Sequence, residues 1–212
     1  MQHNPYMVER SLDREQELAL KNKRTGILIF QLSWIMAFVA FAMVNFQLRF
    51  TATSWPPAGV EKLDPLLPSL ATLGLLMSVL AVRRAVKAIS HDDTRRMMGL
   101  LRLTLILGVL FIAVMAYEWL AVTPVPQELM TLANGQEVLG PISQYNTVFR
   151  VMTAFHAVHA LAIVLFIGLN VLRRAHRGAY SSADYWDVEA GAKLWYFVFV
   201  AWIIFYVVLY WI

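Results

Sequence analysis

Cysteine is absent from the 212 residues, which excludes disulfides, thiolate metal sites and the CxxCH attachment of a c-type haem. Charge is scarce: 15% of residues are Asp, Glu, Lys or Arg against 59% hydrophobic, a balance too apolar for a water-soluble domain of this length. No Walker loop, GxGxxG, HExxH or GxSxG string occurs, so the common signatures of nucleotide binding, zinc proteolysis and serine hydrolysis are missing. There is no internal repeat or low-complexity tract, and a single compact unit is the simplest organisation.

What the chain does have is apolar length. Nearly charge-free runs cover 25–48, 66–82, 103–122, 151–172 and 194–212, with Glu118 the one carboxylate inside them. Each is long enough to cross about 30 Å of hydrocarbon at about 1.5 Å per residue. The predicted architecture is an all-α bundle of five transmembrane helices over 25–212, with spans at about 25–48, 66–88, 99–122, 147–172 and 191–212. Residues 1–24 form a polar cytoplasmic segment without the features of a cleaved signal, and Asp13 and Gln16 are spaced to cap a short surface helix. A net charge of +4 would admit a nucleic-acid partner, but the cations follow membrane sidedness instead. With five crossings, 15 of the 18 Lys and Arg fall on one side, leaving Arg49, Lys62 and Arg150 for the other. The positive-inside rule then predicts a cytoplasmic N-terminus and an external C-terminus.

The outer loops carry the turn chemistry. "SWPPAGVEKLDPLLP" brings prolines between the first two spans, with Pro68 in the first turn of the second, where its missing N–H costs little. Asn134-Gly135 is a hairpin signal between the third and fourth. Trp55, Trp119, Tyr145, Trp186, Tyr210 and Trp211 stand near predicted helix ends and read as headgroup-level anchors. Gln31, Ser33, Asn45 and Gln47 give the first span a mildly polar side suited to helix contact, and Gly74 with Ser78 predicts close packing in the second.

Two histidines interrupt the apolar run "FRVMTAFHAVHALAIVLF". His156 and His159 lie roughly 60° apart on a helix and can face one neighbour, a first hint of a metal. The remaining ligands are missing, because His3, His91 and His176 all fall in the cytoplasmic segments. Interhelical hydrogen bonding is the expectation instead. Glu118 lies about 6 Å below the outer end of its helix and His156 about 13 Å down the next, and both side chains lean toward closing that gap. Glu118 and His156 are therefore expected to pair, with His159 orienting the first ring or reaching a neighbouring subunit. An intramembrane carboxylate is costly without such a donor.

Four strings, in order, carry a family resemblance. "TATSWPPAGVEKLDPLLPSLATLGLLMSV", "GVLFIAVMAYEWL", "FRVMTAFHAVHALAIV" and "VEAGAKLWYFVFVAWIIFYVVLYW" resemble consecutive segments of subunit III of haem-copper oxidases (cytochrome c oxidase type), the third similar to a TGFHGLH helix and the fourth to an EAGAxYWHFVDVVW helix. The likeness runs from Gly26 to the C-terminus and fits the five-helix version of the family, which lacks the first two helices of the seven-helix version. Trp55, Pro56, Pro57, Thr153, Glu189, Trp195 and Trp202 stand at matched positions, as do Glu118, His156 and His159.

The resemblance implies an accessory subunit with no catalytic residue, metal or cofactor of its own. It would pack on the catalytic subunit I and other oxidase subunits in a bacterial plasma membrane and hold phospholipid. Haem and copper would reside in the partners, which reduce oxygen with electrons from cytochrome c or a similar donor and translocate protons. The departures fall on one polar cluster: Trp34 follows Ser33 where the family carries a buried carboxylate, and Tyr196 and Phe199 replace a His and an Asp of the last helix. Alanines at 154 and 157 and Arg150 are further differences. They keep open a companion of a nitric oxide reductase on the same fold and, from another class, a free-standing carrier or cytochrome. At Trp34 and Phe199 they predict apolar packing against subunit I or lipid.

Overall fold

A computed structural model describes residues 14–56, 62–122, 127–131, 137–142 and 144–212, with side chains assigned outside Gln16 and 121–143. Five helices are long and apolar enough to cross a membrane. They are α1 (Arg14–Thr51), α2 (Leu66–Ile89), α3 (Thr94–Tyr117), α4 (Gln144–His176) and α5 (Trp186–Trp211). The charged stretch from Arg14 runs without a break into the α1 span; Asp13, its expected cap, lies outside the described residues. Wide π turns close α3 at Glu118–Val122, interrupt α4 at Phe166–Leu172 and end α5 at Val207–Trp211.

Local chemistry sets the helix ends. Asp64 accepts the Leu66 N–H at 2.9 Å at the start of α2, where Pro68 sits buried in the first turn as its sequence position predicts. The α2–α3 turn is tight: Asp92 takes the left-handed conformation at φ 60°, and Asp93 caps α3 by accepting the Arg96 N–H at 2.9 Å. Between α3 and α4 a short antiparallel hairpin forms from β1 (Gln127–Thr131) and β2 (Glu137–Ile142). Its Asn134-Gly135 turn signal lies outside the described residues, as does Pro57.

In the interior α5 packs against α2, α4 and α1, while α3 lies against α2 and α4. Half of the apolar window of α5 is buried but only 6% of that of α1, so α5 is the axis of the bundle and α1 its outermost member. Trp195, Trp202, Phe205, Phe111 and Leu75 form the centre. Two glycines permit the closest approaches. A Cβ on Gly108 would stand 2.7 Å from the Trp195 ring, and one on Gly191 3.1 Å from Ile167. Gly74, expected to mark close packing in α2, has open space where a side chain would be. The neighbouring helix meets α2 at its hydroxyls instead.

Candidate functional site

Four hydroxyls on the helices share one recurring arrangement. In each case a helix hydroxyl donates to a carbonyl one turn back on its own helix and accepts an aromatic N–H or O–H from the next helix. Ser78 Oγ donates to Leu75 O at 2.5 Å and accepts Trp195 Nε1–H at 2.9 Å. Thr72 Oγ1 donates to Pro68 O at 2.7 Å and accepts Trp202 Nε1–H at 2.8 Å. Ser69 Oγ lies 2.5 Å from Pro65 O and 2.6 Å from Tyr206 Oη. Thr153 Oγ1 donates to Phe149 O at 2.7 Å and accepts Trp119 Nε1–H at 2.8 Å. Three of these four links tie antiparallel α2 and α5 along their length, and the fourth ties α3 to α4. A helix-interior hydroxyl satisfies its own proton by back-bonding, which leaves its lone pairs for a neighbour at no cost in stranded donors.

Both histidines of α4 face aromatic rings, but different neighbours. His156 is fully buried; its Nε2–H donates to Val198 O of α5 at 2.9 Å. Its ring lies 5.4 Å from Trp202 and 5.6 Å from Phe111. His159 donates Nδ1–H to Phe155 O at 2.7 Å and meets Trp34 edge-on at 4.4 Å. The expected Glu118–His156 pair is not formed: Nε2 is engaged by Val198, and Nδ1 has no hydrogen-bond partner among the described residues. The ring sits between Phe111 of α3 and Trp202 of α5, and its N–H is taken by the α5 carbonyl of Val198. Nor does His159 orient its neighbour, because its proton goes to its own helix.

Glu118 is buried to 2% exposure at the C-terminal end of α3, within electrostatic range of Asp64 and Tyr210. Around that end Arg150 donates to Trp119 O at 2.8 Å and Tyr145 Oη accepts the Leu63 N–H at 3.4 Å. Several expected headgroup anchors are thus interior pieces. Tyr210 and Tyr145 are buried, Trp55 stacks edge-on to Tyr145 at 5.3 Å, and Trp119 bonds Thr153. Of the set, Trp211 is the exposed ring and Trp186 is half-buried.

At the opposite end Glu189 joins α1 to α5, accepting from Arg24 and Lys193, each at 2.9 Å. Gln31 adds a bond to Lys193 O at 3.0 Å. Arg174 pairs with Asp187, and Asp92 accepts both the amide and the hydroxyl of Ser182 at 2.5 and 2.7 Å. Those bonds, the hydroxyl's first, hold the Asp92 carboxyl below the usual carboxylate range. Among the departures, Trp34 is half-buried against Phe30, Phe197 and His159, and Tyr196 and Phe199 are half-buried on the core. Among the described residues no three His, Asp or Glu side chains converge as a metal would require.

The sequence model of a family described as Cytochrome c oxidase subunit III matches residues 9–212. The chain belongs to that family. Cytochrome c oxidase subunit 3 of Scyliorhinus canicula is 31% identical over 197 residues, spanning 90% of this chain and 70% of that protein. The Xenopus laevis subunit is 32% identical and the Sus scrofa subunit 29% over the same shares. Within the subunit III family match, the indoles of Trp195 and Trp202 carry the α5–α2 links, and Glu189 carries the α5–α1 link. Sequence reasoning missed Ser69, Thr72 and Gly108. Its available signal was the seven-then-four spacing of Trp195, Trp202 and Tyr206, which places the three rings on a single helical face.

Proposed function

We propose that this chain is a non-catalytic accessory subunit of a respiratory haem-copper terminal oxidase in a bacterial plasma membrane. In this reading it packs on catalytic subunit I, stabilises it and holds phospholipid, while haem and copper reside in the partner subunits. The observation that carries the proposal is the set of indole-to-hydroxyl and imidazole-to-carbonyl bonds between helices in a chain that matches the subunit III family over 9–212. Such bonds lock helices together. The N-terminus lies on the cytoplasmic side and the C-terminus outside, an orientation supported by the 15-to-3 division of Lys and Arg. The complex reduces oxygen with electrons from cytochrome c or a similar donor and translocates protons, and this chain acts on that reaction through assembly.

The test is extraction of the tagged full chain in mild detergent, with the optical spectrum and composition of what accompanies it. A stoichiometric haem-copper subunit I supports the proposal. A nitric oxide reductase partner, or a chain that carries its own Soret absorbance, overturns it.

A further inference from the structure

A cavity of about 390 Å³ opens at the cation-rich end of the bundle, between the end of α2 and the start of α3, lined by Arg84, Lys87, Ala88, His91, Asp93 and Arg96. Arg84, Lys87, Ala88 and His91 follow one another at steps of three, one and three, so the end of α2 and its turn present a single basic stripe. Arg96 closes the cavity from α3. Elsewhere at this end several cations are matched: Arg24 and Lys193 share Glu189, Arg174 has Asp187, and Arg102 donates to His176 Nε2 at 2.8 Å. Around the cavity they are not, since among the described residues Arg84, Lys87 and Arg96 make no ion pair. The one acid in the lining, Asp93, is occupied as the α3 cap. His91 donates its Nδ1–H to Lys87 O at 2.8 Å, so the donors left for a ligand are those of Arg84, Lys87 and Arg96.

We propose that this cavity binds a phosphate anion at the membrane surface, as the headgroup of an anionic phospholipid or as free phosphate. Two guanidinium forks suit a tetrahedral oxyanion. A basic pocket between spans at the cation-rich face is where an acidic headgroup finds charge and an apolar wall together. Ala88 and the aliphatic stems of Arg84 and Lys87 supply that wall. The site is independent of whether the chain packs on subunit I, because every residue in it comes from α2, α3 and their turn.

The experiment is native mass spectrometry of the full chain, in the assembly that mild detergent extracts, titrated with phosphatidylglycerol, phosphatidylcholine and inorganic phosphate. The expected result is preference for phosphatidylglycerol over phosphatidylcholine. The Arg84→Gln/Arg96→Gln pair weakens it about thirtyfold, while Arg83→Gln/Arg95→Gln, which removes the same charge from exposed positions outside the cavity, stays within about threefold. Lys87→Gln alone reports the same direction at about fivefold. Phosphate displacing the lipid would identify the free anion as the ligand, and failure to displace it would identify the lipid. Equal binding of both lipids with no phosphate bound, or equal losses in the two paired variants, would overturn the proposal.

Discussion

Gly108→Ala tests the reasoning about α5 most sharply. The added methyl would stand 2.7 and 3.0 Å from two atoms of the Trp195 ring and 3.1 Å from Val164, the first closer than carbon atoms tolerate and the other two tighter than ordinary contact. Trp195 is fully buried, and its N–H is held by Ser78 at 2.9 Å, so the ring can retreat only by releasing that bond. Overpacking costs about 1 to 3 kcal/mol, and an interhelical hydrogen bond in a membrane protein contributes about 0.6 to 1.7 kcal/mol. The expected destabilisation is therefore about 2 to 4 kcal/mol, carried by packing and hydrogen bonding because lipid gives helices no hydrophobic incentive to associate. Trp195→Phe removes the clashing benzo carbons and the N–H together and leaves Ser78 bonded to Leu75 O. On its own it costs less than the about 3 to 5 kcal/mol of a full truncation. In the double variant the alanine fills space that the smaller ring vacates, so the combined loss falls well below the sum. The assay is thermal unfolding of the four proteins in one mild detergent, read by tryptophan fluorescence and by circular dichroism. Additive losses, or a harmless Gly108→Ala, would refute the account of the glycine.

Other outcomes follow from the same geometry. A reporter fused after Ile212 should read as external and one at the N-terminus as cytoplasmic; the reverse pair would invalidate the orientation. Glu118→Gln and His156→Ala should be additive within about 0.5 kcal/mol in thermal unfolding, since His156 bonds Val198 O and not Glu118; a coupling well above that would restore the pairing. Asp92→Ala should destabilise the chain at neutral pH. Because the folded carboxyl titrates below its ordinary value of 3.8, its contribution is complete above that value and is lost as pH falls through the lower folded one. Wild type and variant should therefore converge below about pH 3.8, and a difference that persists in acid would show that the Asp92–Ser182 bonds do not depend on charge. The chain expressed alone should show no Soret band, because His156 and His159 share one helix and no histidine faces them from another span.

Much of the fold was legible because apolar run length is a strong signal. The span starting at 66 coincides with α2 at Leu66, and the hairpin signal at Asn134-Gly135 falls between β1 and β2. Partner choice was harder to read. Depth along two helices can be counted from sequence, and it placed Glu118 and His156 at comparable heights; rotation about the helix axis cannot be counted in the same way. A rotation of one residue, about 100°, moves a ring from one neighbour to another, and α4 presents His156 to α5. The aromatic anchors were misassigned for a related reason. Tyr145 and Tyr210 have the position and amphipathic character of headgroup residues, yet the bundle end itself offers an interior, where Tyr210 meets Phe149 at 5.8 Å and Tyr206 at 5.7 Å. The α2 hydroxyls were passed over because Ser and Thr in an apolar helix satisfy themselves by back-bonding and so carry no demand for a partner.

The role of Trp34 follows from how α1 is held. Polar contacts fasten that helix in its N-terminal half, through Arg24 to Glu189 and Gln31 to Lys193 O. Further along, Phe38 is buried among Phe155, His159, Phe197 and Phe205. Gln31, Phe38 and Asn45 are seven residues apart, so they share the inward face, and Trp34 extends it by seating its edge on His159. An isolated carboxylate at that position would need a charged or donating partner in hydrocarbon, and the His159 proton is already given to Phe155 O. A tryptophan needs no such partner to bury its ring. Trp34 is therefore a ring contact that attaches the least buried helix to the bundle, while most of the apolar face of α1 stays exposed.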